Sequence, residues 1–84
     1  MKAFVMTDQE TIAEFERLAE MAYAAMYEGH THGVKDLYYE TRLYFCRAIE
    51  AAQGAGFTDV AARLTRRLQH VEAVYNSQFR NVGR

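Results

Sequence analysis

The sequence has no proline and no tryptophan, one cysteine and one serine among its 84 residues. An average chain of this length holds about four prolines. Proline breaks helix interiors, so its absence permits long uninterrupted helices. A single cysteine, Cys46, excludes a disulfide within the chain. It suits a reducing compartment. Glycine occurs only at 29, 33, 54, 56 and 83, and these positions cut the chain into three blocks of similar length. No apolar run approaches the ~18–20 residues of a membrane span. The opening MKAFVMTDQE is too short in apolar residues for a secretory signal and turns acidic at once. The expectation is a soluble, cytoplasmic protein. Charge is nearly balanced, at a net −1, so bulk electrostatics offers no reason to bind nucleic acid or membrane.

Half of the residues are hydrophobic and a quarter are charged, the mixture of a globular chain. At this length folding buries only roughly 60–65% of the unfolded surface. A single small domain must then gain stability from a metal, from tight helix packing or from oligomerisation.

The first helix is expected over about 8–28. Thr7 and Glu10 are spaced as a capping box. Ile12, Phe15, Ala19, Ala22 and Met26 recur at helical spacing, with Leu18, Tyr23 and Ala25 beside them. Gly29 is placed to stop it. The second is expected over about 34–53, capped by Thr31 or His32 and ended at Gly54. Its apolar arc holds Leu37, Tyr38, Tyr44, Phe45, Ala48, Ile49, Ala51 and Ala52. The third is expected over about 59–80, with Thr58 as N-cap and a buried stripe of Val60, Leu64, Leu68, Val71, Tyr75 and Phe79. Residues 1–6 form an apolar arm, and 81–84 a frayed tail. Short connections make neighbours antiparallel. The reading is all-α: one domain, an up-down-up three-helix bundle completed by dimerisation.

Three features could carry chemistry or contact. The stretch EGHTHG offers Glu28, His30 and His32 as candidate metal ligands. A stable site needs a further ligand, and His70, the remaining histidine, is expected about 13 Å away along the bundle axis. A turn explains the same letters, and neither a metal nor a cofactor is expected. The second feature is a basic face on the third helix, Arg63, Arg66, Arg67 and His70, which could grip a polyanion such as nucleic acid. Residues 57–84 carry a net +3 and residues 1–28 a net −4. The two helices could therefore neutralise each other across a seam.

Catalysis has little to stand on. Cys46 has no histidine at helical spacing, and the glutamates of the first helix are spread around it. Three helices alone leave no room for a pocket of ~300 Å³ or more, so an enzyme is not expected. The third feature is aromatic. Tyr39 and Leu43 lie four apart on the polar side of the second helix, beside Cys46, outside the apolar arc. Tyrosine with leucine in such a place is characteristic of a contact surface. The expected function is therefore non-enzymatic protein–protein interaction. Its surface would comprise Tyr39, Leu43 and Cys46, with Met21, and its partner would be a second copy or another protein.

Overall fold

In a computed structural model of the chain, residues 6–28 and 33–79 are described. They form three helices, α1 Asp8–Met26, α2 Val34–Gly54 and α3 Thr58–Val74, and a π-helical turn, Tyr75–Phe79, that prolongs α3. There is no strand among the described residues. The arm before Met6, the segment 29–32 with its expected stop and caps, and the tail beyond Phe79 lie outside them.

The capping box of α1 forms as the spacing requires. Glu10 N–H donates to Thr7 Oγ1 at 3.1 Å, and Thr7 N–H donates to Glu10 Oε1 at 2.9 Å. α1 ends earlier than expected, with Tyr27 as its C-cap. The N-cap of α2 is Gly33, which supplies no capping side chain, rather than Thr31 or His32. At the start of α3 the expectation also shifts by one residue. Phe57 is the N-cap, with no side-chain hydrogen bond, and Thr58 is already helical. The reversal between α2 and α3 happens at Gly56, whose φ of +80° is open to glycine at little cost. Gly54, expected to stop α2, is its last helical residue.

The core is small. Among the described residues its buried hydrophobic side chains are eleven, and five of them are alanines; the large ones are Ile12, Met26, Phe45, Leu64, Leu68 and Val71. Alanine lets helices approach closely but removes little apolar area from water, so this interior holds the chain with a narrow margin. Many of the expected core aromatics stay half-buried at its rim: Phe15, Tyr38, Tyr44 and Tyr75. Thr41 is a buried polar residue, its hydroxyl donating to Leu37 C=O at 2.8 Å. The body is broad and thin, 51 × 31 × 13 Å.

Candidate functional site

Side-chain contacts show which arc of each helix faces which neighbour. Phe15 of α1 stacks with Tyr44 of α2 at 6.4 Å between ring centroids. Between α1 and α3, Arg63 holds Glu16 and Arg67 holds Glu20, each through two guanidinium hydrogen bonds of 2.8–3.1 Å. Between α2 and α3, Tyr38 stacks flat on Tyr75, with centroids 3.7 Å apart, and Arg42 Nε donates to Glu72 Oε2 at 3.1 Å.

The remaining arcs follow from the helical repeat of about 100° per residue. Passing round α2 from the side that meets α3, one crosses Arg42 and Tyr38, then buried Phe45 and Ala48, then Tyr44 against α1. Beyond Tyr44 come Glu40, Arg47 and Asp36, then Leu43, Glu50 and Tyr39. Passing round α1 in the same sense, one crosses Glu20 and Glu16, buried Ile12 and Ala19, then Phe15 and Ala22. Beyond these come Leu18, Ala25, Glu14 and Met21. α3 therefore covers one side of the α1–α2 pair. Among the described residues the opposite side is open.

That open side carries three of the five large hydrophobic residues that are exposed among the described ones. Tyr39 is 53% exposed, Leu43 48% and Met21 56%. Leu18 and Ala25 are half-buried beside Met21. Met21 Sδ accepts a hydrogen bond of 3.0 Å from Arg17, which also pairs with Glu14. Cys46 sits differently. It is half-buried and packs against the core cluster, so its thiol lies at the edge of the open side. Asp36, Glu40, Arg47 and Glu50 are exposed on this side.

The basic face of α3 is divided. Arg63 and Arg67 are turned onto α1, and Arg67 also lies 5.2 Å from the centre of the Tyr23 ring. Arg66 and His70 face outward and are exposed. The Arg63 guanidinium, hydrogen-bonded to Glu16, holds that carboxyl below its ordinary pKa of 4.5 against the opposing effect of burial. A polyanion on this face would have to draw Arg63 and Arg67 off their glutamates.

A groove of about 430 Å³ lies between the start of α1 and the α2–α3 connection, lined by Gln9, Ile12, Glu16, Phe57, Val60 and Arg63 among others. This corrects the expectation that three helices leave no room for such a volume. The space arises where α3 begins at Phe57, short of the first turns of α1. Its wall mixes apolar side chains with the bridged Glu16–Arg63 pair, and among the described residues no histidine, cysteine or serine lines it. Of the candidate metal ligands, Glu28 is exposed in the turn after α1, and His30 and His32 lie outside the described residues. Among the described residues no three His, Cys, Asp or Glu side chains gather as a metal cluster, and no helix is long and apolar enough to cross a membrane.

The open side was half legible in advance. Tyr39, Leu43 and Met21 fall on it as the helical repeat requires. Leu18 and the Asp36–Arg47 pair were missed, because nothing in one helix says which side its neighbours leave bare. Compared with known protein families, curated proteins and solved structures, the chain matches none.

Proposed function

We propose that this is a small non-enzymatic interaction protein, whose working surface is the open side of the α1–α2 pair. One observation carries the reading: Tyr39, Leu43 and Met21, exposed apolar residues from two helices, lie together on the side that α3 leaves uncovered. Aromatic residues and methionine are enriched at protein contacts, and a small domain gains from further burial. The core, in which five of the eleven buried hydrophobic side chains among the described residues are alanines, and the thin body add to the same argument.

The reading includes the up-down-up arrangement. Glu16 with Arg63 and Glu20 with Arg67 advance together along the chain, which supports α1 and α3 running in the same direction. Tyr38 with Tyr75 and Arg42 with Glu72 advance in opposite senses, which supports α2 running against α3. Burial of the open side against another chain then completes the bundle.

Sedimentation equilibrium tests this. The expected result is a mass above that of one chain, which falls to the monomer in Leu43→Ala or Tyr39→Ala while circular dichroism keeps its helical signal. A wild-type monomer that captures no partner, or association unaffected by both substitutions, overturns it.

A further inference from the structure

We infer that the occupant of the open side is a second copy of this chain, with α2 packed antiparallel on its equivalent. The two-fold axis would pass level with Thr41. This rests on the reading of the open side as an interaction surface and adds the partner and the register.

The argument starts from symmetry. A two-fold contact is self-complementary, so each residue on it must find an acceptable partner at its mirror position along the helix. On the open side of α2 the apolar pair is Tyr39 and Leu43. An axis midway between them sets Tyr39 against the partner's Leu43, and Leu43 against the partner's Tyr39. The Tyr44 flank of the same side carries Asp36, Glu40 and Arg47, and the oppositely charged pair that spans the axis is Asp36 with Arg47. Its midpoint falls half a residue from the first, which is ~0.75 Å along a helix. One axis therefore serves both pairs. Asp36 meets the partner's Arg47, and Arg47 meets the partner's Asp36. In an antiparallel two-fold pair the same flank of each helix faces its equivalent, so these charges lie on matching edges.

Within one chain these two groups have no use for each other. Asp36 and Arg47 are eleven residues apart on one helix, ~16 Å, too far to reach each other. Both are exposed, and neither joins an ion pair among the described residues. Of the remaining charges near the axis, Glu40 is exposed on the same flank one residue from it and faces the partner's Glu40, a like-charge contact that this register must carry. Arg42 is bound to Glu72, and Lys35 lies on the opposite flank from Asp36.

The neighbouring helix fits the same axis. Phe15 stacks on Tyr44, so the level of Thr41 on α2 is close to the level of Leu18 on α1. Leu18 would meet the partner's Leu18, with Met21 and Ala25 beside it. Size argues for including α1. A single helix ~10 Å wide and ~30 Å long projects ~300 Å². Two helices side by side double that, toward the ~800 Å² per partner that stable interfaces bury. The assembly would be a four-helix core of two α1–α2 pairs, with both α3 helices outside.

A charge exchange tests the register in the full chain. Asp36→Arg alone and Arg47→Asp alone each place like charges opposite, and each is expected to raise the dimer dissociation constant about tenfold or more. An equimolar mixture of the two variants is expected to form a heterodimer near wild-type affinity. The arginine introduced in one chain then faces the aspartate introduced in the other, and the native pair is kept at the second site. The double variant D36R/R47D is expected to recover the homodimer. Circular dichroism confirms that each variant keeps its helices. A wild-type monomer, or a dimer that Leu43→Ala leaves intact, overturns the choice of face and of a second copy as its occupant. A dimer that Leu43→Ala dissociates but single charge reversals leave unchanged, or that mixing fails to restore, overturns the register while the interaction surface stands.

Discussion

Leu64 and Leu43 are the same residue type at opposite ends of the burial scale. Leu64 is fully enclosed between the three helices, and Leu43 is about half exposed. Leu64→Ala should cost about 2–5 kcal/mol of folding stability, measured by urea unfolding. Leu43→Ala should cost the fold itself under ~0.5 kcal/mol at concentrations where the chain is a monomer, with its effect appearing in association instead. The bridged carboxylate sets acid behaviour. Glu16 has its folded pKa lowered, first by the hydrogen bond from Arg63. Its contribution is present above the unfolded value and lost as pH falls through the folded one. Stability should therefore drop below about pH 4.5, and Glu16→Gln should flatten that part of the pH curve. Tyr23 works in the other direction. Burial, then the 2.9 Å hydrogen bond shared with the Tyr27 hydroxyl, push its pKa up from 10.0 to about 12. The neutral phenol is the one the fold favours, so its contribution is complete below pH 10 and lost between about pH 10 and 12. An ultraviolet titration should show Tyr23 ionising late, and Tyr23→Phe should reduce that late component.

At the scale of elements, the glycines at the end of α2 separate helix ending from chain reversal. A side chain at Gly54 would meet nothing within 4 Å, and the backbone there is helical. Gly54→Ala should stabilise by ~0.5 kcal/mol, through the restricted unfolded chain and better helix propensity. Gly56→Ala also has space, but its φ of +80° should make it destabilising by ~1 kcal/mol. Thermal melts of the two variants should move in opposite directions. Sequence spacing alone favours Gly54 as the stop, because it comes first; the residue that adopts positive φ is known only once α3 has a place to go.

The end of α3 follows the same logic. Helical periodicity carries Tyr75 and Phe79 along one stripe, toward α2. The π turn at Tyr75–Phe79 winds an extra residue into that turn. It leaves Tyr75 on Tyr38 of α2 and swings Phe79 back to α1, edge-on to Tyr27 with centroids 4.9 Å apart. No local signal in YNSQF announces this turn. Thr41 was missed for a related reason. Its hydroxyl looks like a surface group in sequence, but it bonds back to the Leu37 carbonyl and leaves only a methyl to pack. Its position, four residues before Phe45 and seven before Ala48, was the available clue.

At the scale of the whole molecule, association should show in stability. Partner binding to the folded chain raises the apparent melting temperature with protein concentration. The wild type should therefore melt at a higher temperature when concentrated tenfold, and Leu43→Ala should melt independently of concentration. Much of the architecture was written in the chain itself: the all-α class, the three helices to within a few residues, the capping box at Thr7, and the exclusion of Tyr39 and Leu43 from the apolar arc. These follow from local rules: a 3.6-residue repeat, the geometry of a cap, and the proline-free blocks between glycines. The acidic first helix and basic third helix also announced their seam, since opposite charge needs no exact placement to be anticipated. Packing settled what depends on how the helices sit against one another. It chose which arginines are consumed by Glu16 and Glu20, turned Cys46 toward the core, opened a groove beside Phe57, and laid α3 on one side of the α1–α2 pair. Which side stays bare is a property of three helices together. A helix's own periodicity reports its apolar arc, and its neighbours determine how much of the rest they cover.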